Sequence, residues 1–569
     1  MIKVHRFGFL AALILASAVD AIGALPTPDP DDGGIKLPPG FRALVVADNL
    51  VVGRQREFEA GANGDMSETL RFITVAPDGD IYSKFKRGAL VALRDTKGTG
   101  RADEIKTFGG GGGTCIAYHD GWLYESTNTG VYRYRLKPGQ LVPDGGPETV
   151  VSGLPAGKDH NAKCFAFDDE GRLYVEIGSP YNVYSKPDRQ FGAKGMDPTE
   201  FQKTYGGFWR FDPNKLNQTQ ADGYHFSTGH RHILAVAWNP VSKALFVTMN
   251  GRDQLNTVAP EYYDALDNAL RVSEEMHILR EGANLGWPYT YFDPFKNARM
   301  IAPEFGGDNR KRAEPGKYPD PLIAFPAHWA PMQMTFYFAN QFPAHYHGGA
   351  FVAFHGSWNR APLPQAGYRV CFVPFDEKGM PTGEYETFAD GFTGLDHDFT
   401  STGDARFRPM GVAVGPDGSL YVTDSEKGRI WRIIYTGESR PASASAAPAY
   451  TPPEHKPVND GSHGGQIYAQ VCATCHMADG TGVSNMQPPL IGDQVVAGDP
   501  NTLINVILRG PAAVLPSDRP KYANTMPAFG ALFSDQDVAD VASFVRRAFA
   551  HDNKPITPAQ VATQRAAHP

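Results

Sequence analysis

The stretch FITVAPDGDIY, residues 72–82, places an Asp-Gly turn between two short apolar segments. Apolar segments on either side of Asp-Gly are typical of a β-hairpin, because these residues readily adopt the positive φ angles of a tight turn. The unit recurs, with various turn residues, at 116–124, 165–174, 236–246, 335–351 and 412–421. Hairpins repeated at irregular spacings of about 50 to 100 residues indicate the blades of a β-propeller with insertions. Six copies predict an all-β, six-bladed propeller over residues 34–437.

The composition describes an ordinary soluble globular protein. Of the 569 residues, 41% are hydrophobic and 20% are charged, and the formal net charge is −8. Proteins that bind nucleic acid or anionic membrane surfaces are usually basic, so this mildly acidic balance argues against both kinds of partner. The 46 prolines and 61 glycines suit many strands joined by tight turns.

A second domain is indicated by the run CATCH at residues 472–476. C-x-x-C-H is typical of covalent haem attachment, in which Cys472 and Cys475 bind the porphyrin and His476 ligates the iron. The downstream run TMPAF, residues 525–529, offers Met526 as the second axial ligand, with Met486 next in line. A zinc site or a disulfide is the alternative interpretation of the cysteine pair.

The rest of this segment fits a small helical domain. Pro488 lies in an apolar run that is suited to a loop against the porphyrin. Ser534 and Asp537 form a capping-box pattern in front of a segment with one apolar helical face. We predict a small all-α domain with one covalent haem c over residues 461–550, and therefore a function in electron transfer.

Three segments lack a core of their own. Residues 1–24 have a charged start, an apolar stretch and small residues at 16–18, which predicts a secretory signal peptide; an uncleaved membrane anchor is the alternative. No other segment is apolar enough to cross a bilayer. Residues 438–460, rich in Ser, Ala and Pro, predict a linker, and 551–569 predict a frayed tail. Because haem is attached covalently outside the bacterial cytoplasm, the signal and the haem motif together predict the periplasm.

Three cysteines remain outside the haem motif. Cys115, Cys164 and Cys371 each lie in an apolar, strand-like run, which favours buried packing. One disulfide among them is the alternative, and the odd number leaves at least one cysteine unpaired within the chain.

Four polar groups lie beside the apolar strands of different repeats: KDHNAK at 158–163, STGHRH at 227–232, FHGSWNR at 354–360 and RFRP at 406–409. Propeller loops converge at the mouth of the central channel, so we expect these groups to face one pocket. Arginine forks bind carboxylates through two hydrogen bonds, so the set predicts a polyanionic cofactor. The alternative is that each group is a solvated loop or a structural ion pair.

Several of these runs resemble the glucose/sorbosone dehydrogenase family, most closely its sorbosone-dehydrogenase-like branch. The resemblance rests on HNAK at 160–163, GHR at 229–231, GANLGWP at 282–288, HGSWNR at 355–360 and RPMGVAV at 408–414. It covers about residues 36–436 and implies a six-bladed propeller that uses pyrroloquinoline quinone (PQQ) and calcium. The C-terminal segment is similar to class I cytochromes c.

The resemblance implies a role for each matching residue. His160 matches the catalytic base, and Arg231 also matches a residue that stabilises the reduced quinone. Cofactor contacts are implied for Arg71, Arg231, His355, Arg406 and Arg408. Calcium contacts, partly through backbone carbonyls, are implied for Asn250, Gly251, Arg252 and Asp253. His232 and Lys163 depart from the family pattern, since glucose-oxidising members have Asn at the first position and sorbosone-like members often have Arg at the second.

The predicted function is a quinohaemoprotein oxidoreductase that oxidises a sugar, a sugar aldehyde such as sorbosone or a related polyol. Electrons would pass through its own haem to a soluble cytochrome or a respiratory-chain acceptor. One alternative is a calcium-dependent hydrolase such as a sugar lactonase, which needs a cage of carboxylates and Asn at the channel centre. The other is a non-catalytic propeller that binds carbohydrate or a partner and presents the haem. PQQ binding separates both alternatives from the predicted function, and the substrate itself stays open.

Overall fold

The computed structural model describes most of the chain. The described residues are 25–51, 68–157, 159–361, 363–383, 385–395, 399, 401–437, 460, 462–472, 476, 480, 488–517, 519, 526, 528–531 and 533–567. The predicted signal segment 1–24, the linker up to residue 459, Cys475 and Met486 lie outside these residues.

Six antiparallel sheets form the blades of a propeller, which confirms the predicted fold class. The first strands of neighbouring blades contact one another and surround the central channel. The strands, innermost first, are Leu70–Val75, Ile81–Phe85, Leu90–Arg94 and Glu104–Phe108 in blade 1; Ile116–His119, Trp122–Ser126, Val131–Arg135 and Glu148–Val151 in blade 2; Phe165–Phe167, Leu173–Ile177, Gly207–Phe211 and Tyr224–Thr228 in blade 3; Ile233–Asn239, Ala244–Met249, Glu274–Leu279 and Ile323–Phe325 in blade 4; Pro331–Phe336, Ala350–Phe354, Arg369–Val373 and Glu386–Ala389 in blade 5; and Pro409–Val414, Leu420–Asp424, Ile430–Tyr435 and Phe41–Ala47 in blade 6.

The ring is closed by a strand from the other end of the propeller. Phe41–Ala47 is the outermost strand of blade 6, where it pairs antiparallel with Ile430–Tyr435 in the register Phe41 to Tyr435. Phe41 also packs edge-on against Phe342, Tyr346 and Phe388, with ring centroids 4.8, 5.2 and 5.0 Å apart. The hydrogen-bonded ladder and the aromatic packing together join the first and last strands of the propeller.

Shorter elements fill the connections between the strands. Blade 3 carries the additional strand Ala283–Asn284, and two small hairpins are formed by Ser185–Lys186 with Lys194–Gly195 and by Thr290–Asp293 with Ala298–Ile301. Two short α-helices, Leu255–Val258 and Ala265–Leu270, precede the third strand of blade 4. The 3-10 helices of the propeller are Asp32–Gly34, ahead of the first strand, and Phe201–Lys203, Gln220–Asp222, Pro303–Phe305, Ala344–Tyr346, Trp358–Arg360 and Thr402–Asp404; Pro511–Ala513 lies in the C-terminal domain.

The C-terminal domain is helical, as predicted. Its helices are His463–Ile467, the π-helical Tyr468–Cys472, Gln494–Ala497, Pro500–Arg509, Asp535–Ala550 and Pro558–Ala567. The predicted capping box is present, since the Ser534 side chain accepts from the Asp537 N–H and the Asp537 side chain accepts from the Ser534 N–H. None of the helices that the structure describes is long and apolar enough to span a bilayer.

The predicted frayed tail is partly a folded helix. Pro558–Ala567 packs against the Pro500–Arg509 and Asp535–Ala550 helices, and Val561 is fully buried. The polar composition of the segment predicted a tail because only one narrow face of this helix is apolar. That face is covered by the rest of the domain, which the local pattern does not show.

Candidate active site

The predicted site residues gather at one end of the central channel. Arg231 and Arg408 lie just before the innermost strands of blades 4 and 6, and Arg71 is the second residue of the innermost strand of blade 1. His355 follows the second strand of blade 5, which runs antiparallel to the first and so ends at the same side. The alternating direction of the strands therefore brings these separated residues together.

His160 is held in an unusual backbone conformation with a fixed ring. Its φ of 53° lies in the left-handed region, which non-glycine residues rarely adopt and which is enriched at functional sites. Its Nδ1 lies 2.5 Å from the Ser179 carbonyl oxygen. Since a carbonyl can only accept, Nδ1 carries the proton and donates it, which leaves Nε2 as the basic nitrogen. A Cβ at Gly178 would lie 2.7 Å from the His160 carbonyl oxygen, so this close approach requires glycine.

The surroundings keep the His160 imidazole neutral. Burial, and then the charges of Arg231, His232 and Arg189, hold the pKa of His160 well below its usual value of 6.5. The His232 ring stacks on His160 with centroids 4.7 Å apart. At neutral pH the free Nε2 can therefore accept a proton.

Arg231 belongs to a buried network of charges on both sides of Asp253. Its Nη2 donates to Asp253 Oδ2 at 2.6 Å and to Asn182 Oδ1 at 3.0 Å. Arg189 bridges Asp253 Oδ2 and Asp159 Oδ2, at 3.0 Å each. Two guanidinium groups thus face two carboxylates, which fixes the position of Arg231 beside His160.

On the other side of the channel the cations are less fully paired: Arg408 Nη1 lies 3.6 Å from Glu426 Oε1, whereas Arg71 keeps an unused donor. Arg408 donates to the His355 carbonyl at 3.2 Å and the Gly356 carbonyl at 2.8 Å, and His355 Nε2 lies 2.8 Å from Ser425 Oγ. Arg71 Nε is buried without a hydrogen-bond partner, and burial together with Arg408 lowers the pKa of Arg71 to about 10. A buried guanidinium with an unused donor is costly unless an anion binds it, so this side fits an anionic ligand.

The side chains of Lys163 and Arg406 differ in their contacts. Lys163 is buried, its Nζ donates to the Asn161 carbonyl at 2.9 Å, and burial lowers its pKa. Arg406 instead lies over the ring of Phe407, 5.0 Å from its centroid, and acts electrostatically on Lys427. Arg408, from the same RFRP run, contacts the backbone of His355.

Asp253 does not fit the predicted calcium site through its carboxylate. Asp253 Oδ2 accepts from Arg189 and Arg231, and Asp253 Oδ1 accepts from the Asn359 amide at 3.0 Å. These bonds and the charge of Arg231 and Arg189 hold the pKa of Asp253 low despite its burial. A carboxylate bound by two guanidinium groups is a poor place for a further cation, because the arginines would repel it.

The neighbouring residues Arg252 and Asn250 differ in whether their side chains could bind calcium. Arg252 donates to Glu304 at 2.6 Å within a buried ion pair, so its side chain does not fit a cation site either. Asn250 Oδ1 is buried without a hydrogen-bond partner and is a suitable neutral oxygen ligand. Among the described residues no group of three or more His, Cys, Asp or Glu side chains is arranged to hold a metal ion.

The predicted haem ligands lie in the C-terminal core. His476 Nδ1 lies 2.9 Å from the Pro488 carbonyl oxygen, so Nε2 is left for a metal, and the ring is buried. Cys472 and Met526 are partly buried against the same apolar cluster. The predicted role of Pro488 as part of the haem loop thus has a definite contact, a hydrogen bond that orients the histidine.

A family model described as "TrAA12-like" matches residues 111–436, more than half of the chain. The chain belongs to the TrAA12-like family. A second model, described as cytochrome c oxidase, cbb3-type, subunit III, matches residues 459–545. The protein therefore combines a TrAA12-like propeller with a C-terminal cytochrome c domain.

Curated relatives match parts of the chain. The cytochrome c subunit of the quinone alcohol dehydrogenase of Gluconobacter oxydans is 42% identical over 93 residues, 16% of this chain and 19% of that protein. A pyrroloquinoline quinone-dependent pyranose dehydrogenase of Coprinopsis cinerea is 31% identical over 170 residues, 26% of this chain and 22% of that protein. An uncharacterised protein of Borreliella burgdorferi is 29% identical over 48% of this chain. The TrAA12-like chain thus spans at most 61% of the length of these relatives.

Solved structures share the fold of the TrAA12-like propeller. The holo form of the pyranose dehydrogenase PQQ domain from Coprinopsis cinerea has a TM-score of 0.55 at 17% identity, covering 70% of this chain and 97% of that one. A Trichoderma reesei structure of carbohydrate-active enzyme family AA12 has a TM-score of 0.55 at 18% identity, covering 71% and 98%. At these identities the likeness supports the propeller fold alone.

Sequence reasoning missed three side chains of the TrAA12-like site. Asn182 and Arg189 lie in the connection between the second and third strands of blade 3, and Glu176 lies in its second strand. Glu176 is fully buried, and its Oε1 lies 3.5 Å from His232 Nδ1. None of the three belongs to a recognisable run, so only their burial beside charged partners marks them.

Proposed function

We propose that this protein is a periplasmic quinohaemoprotein dehydrogenase that oxidises a sugar, a sugar aldehyde or a related polyol with PQQ and passes the electrons to its own haem c. The observation that carries the proposal is a half-buried histidine, His160, with a free Nε2, together with the buried Arg71 Nε across the channel, which has no hydrogen-bond partner. PQQ is a polycarboxylate quinone, and Arg71, Arg408 and Lys163 provide cationic donors for such a ligand. The PQQ-dependent pyranose dehydrogenase among the relatives supports the same cofactor and substrate class.

In the proposed reaction His160 accepts the substrate proton. Its Nε2 takes the hydroxyl proton while the Ser179 carbonyl holds the ring, so the proton goes to a nitrogen with a fixed direction. PQQ, when bound, supplies the acceptor for the two electrons and the hydrogen that leave the substrate carbon. Arg231 stays charged and immobile through Asn182 and Asp253, so it can stabilise negative charge without rearranging.

The cytochrome c domain receives the electrons one at a time. His476 would bind the iron through Nε2, and Met526 is the proposed second protein ligand. Because both domains are on one chain, the acceptor is present at a raised effective concentration. A soluble cytochrome or a respiratory-chain component is the proposed final acceptor, in keeping with the relative that is a cytochrome c subunit of a dehydrogenase.

We propose that calcium, if it binds here, has fewer side-chain ligands than the family resemblance implies. Of the four predicted residues only Asn250 has an unused side-chain oxygen. Calcium prefers six to eight oxygens, so the cofactor and backbone carbonyls would have to supply the others.

The test is reduction of the haem by substrate in the full-length holo-cytochrome. The oxidised protein is mixed with aldoses, ketoaldehydes and polyols, with and without PQQ and with and without calcium, while haem reduction is followed by absorbance. We expect reduction only when PQQ is present and with at least one member of the panel. A parallel assay with a dye acceptor separates failed chemistry from failed transfer to the haem. Absence of PQQ binding in equilibrium dialysis would overturn the proposal and favour the non-catalytic binding propeller.

A further inference from the structure

Two cysteines from adjacent blades meet beneath the candidate active site. Cys115 directly precedes the innermost strand of blade 2, and Cys164 directly precedes that of blade 3. Cys115 Sγ lies 3.5 Å from the Phe165 backbone nitrogen and 3.8 Å from the Phe165 carbonyl oxygen. It therefore contacts the residue next to Cys164 across the gap between the blades.

Both cysteines are free thiols in the structure, and Cys115 influences the ionisation of Cys164. Burial, and then a hydrogen bond with the Cys115 thiol, raise the pKa of the Cys164 thiol well above its usual value. Both side chains are nearly inaccessible, with exposed fractions of 4% and 0%. The third cysteine, Cys371, lies in the third strand of blade 5 with Arg369 and Thr387 as its neighbours, so only one pairing is available.

Metal binding and nucleophilic catalysis do not fit this pair. Both need a thiolate in the folded protein, where burial raises the pKa of the Cys164 thiol, whereas a disulfide can form before folding buries the pair. Within the part of the chain that the structure describes, no third metal ligand completes a site with them. The remaining chemistry of two adjoining thiols is their joint oxidation.

We infer that Cys115 and Cys164 form a disulfide that joins blades 2 and 3 directly beneath the active-site loop. In this reaction each thiol loses its hydrogen and an S–S bond forms, so two electrons and two protons are released. The oxidant is the disulfide of a thiol–disulfide exchange protein, which takes both and becomes a dithiol. Such proteins are present in the oxidising compartment that the signal segment predicts, and they reach the cysteines before folding buries them.

The disulfide would fix the loop that carries the catalytic histidine. Cys164 follows Lys163, and His160 lies only four residues before Cys164. A bond at this point restricts where the 160–163 segment can move relative to blade 2. The inference depends on the two thiols alone and stands whether or not the propeller binds PQQ.

Counting thiols in the wild-type protein tests the inference without any variant. The exported holoprotein is denatured in the presence of an alkylating reagent, with and without prior reduction, and is mapped by mass spectrometry. The haem consumes two of the five cysteines as thioethers. We expect one alkylated cysteine, Cys371, without reduction and three after it, together with a linked peptide pair containing Cys115 and Cys164. Three alkylated cysteines without reduction, or a link that involves Cys371, would overturn the inference.

Thermal unfolding provides a second, independent readout. A disulfide stabilises mainly by restricting the unfolded chain, so a reductant is expected to lower the Tm of the wild-type propeller by several degrees. The Cys115→Ser/Cys164→Ser double variant should lack this response, while the Cys371→Ser variant should retain it as the matched control. A wild-type Tm that stays unchanged after the protein has been unfolded and refolded in reductant would contradict the disulfide.

Discussion

His160 in the propeller and His476 in the cytochrome domain are anchored in the same way but placed in opposite electrostatic surroundings. Both rings direct Nδ1 at a backbone carbonyl, Ser179 at 2.5 Å and Pro488 at 2.9 Å, and both therefore keep Nε2 free. Burial lowers the pKa of each. The difference lies in the charged groups around them.

The charges near His160 are positive and, like burial, lower its pKa. The charge near His476 is negative and raises the pKa that burial lowers. Arg231, His232 and Arg189 lower the pKa of His160, while Asp493 raises that of His476. A base beside an anionic cofactor needs the cations, because they keep it neutral and bind the cofactor at the same time. A metal ligand needs only an oriented, unprotonated nitrogen. One anchoring geometry thus serves two chemistries, and the surrounding charges distinguish them.

The strongest test of this comparison removes the basic nitrogen of the propeller histidine. We expect His160→Gln to reduce the rate of substrate-driven haem reduction by about 10²- to 10⁴-fold, the usual contribution of a general base. PQQ binding and the haem spectrum should stay unchanged. His225→Gln is the matched control, because His225 is exposed and stacks on Trp209 in the same blade. A rate close to that of wild type would show that His160 is not the base.

A second test removes Met526, the proposed sulfur ligand of the haem iron. Met526→Leu keeps the side-chain volume, and we expect an altered haem spectrum with a lower reduction potential, because a thioether ligand raises the potential. Spectroelectrochemical titration measures both. Met196→Leu in the propeller is the control and should leave both unchanged. An unaltered spectrum in the Met526 variant would exclude this residue and leave Met486 as the candidate.

The pH dependence tests the electrostatic half of the comparison. Because the folded-state pKa of His160 lies well below 6.5, kcat/KM should stay constant as the pH falls through about 6.5 and decline only below it. His232→Asn removes one group that lowers this pKa, so the acid limb should move to higher pH. The lowered pKa of His160 also makes the folded state less stable as the pH falls, in the same direction as the loss of activity. The stability contribution is present above the unfolded pKa of about 6.5 and is lost as the pH falls through the folded pKa, because only the unfolded state binds the proton easily. An acid limb at the same pH in both proteins would contradict this account.

The smallest expected effect concerns the anchor of the Met526 loop. Arg565 in the C-terminal helix donates to the Phe533 carbonyl at 2.8 Å, pairs with Asp535 at 2.8 Å and donates to the Gly530 carbonyl. We expect Arg565→Gln to lower the free energy of unfolding of the cytochrome domain by about 1 to 2 kcal/mol, the value of one or two such hydrogen bonds.

Denaturant titration of the haem spectrum measures this loss. The matched control is Arg547→Gln, which removes a solvent-exposed ion pair with Asp460 and should change stability by less than about 0.5 kcal/mol. Equal losses in the two variants would show that the carbonyl bonds of Arg565 contribute nothing specific.

The two regions also differ in how far local sequence predicts them. CATCH at 472–476 specifies attachment and ligation within five residues, because the haem holds those residues together whatever the rest of the chain does. The six hairpins are equally local, and all six were placed correctly. The frayed tail was predicted from a short segment, and packing against distant helices decided against it. The calcium site at residues 250–253 stays a prediction, although in the fold the side chains of Arg252 and Asp253 bind other partners.

The sequence alone determined the repeat count and the haem motif, because turn chemistry and short covalent motifs act within a few residues. The candidate base and the cofactor-binding cations were predictions that the family resemblance implied. Only the tertiary structure decided which buried donor stays unused, which aspartate is occupied by arginines and which cysteines are neighbours. These properties depend on burial and on contacts between blades, as with Arg189 reaching both Asp159 and Asp253. Electrostatic energy depends on distance and desolvation, and a linear sequence fixes neither until the ring of blades has closed.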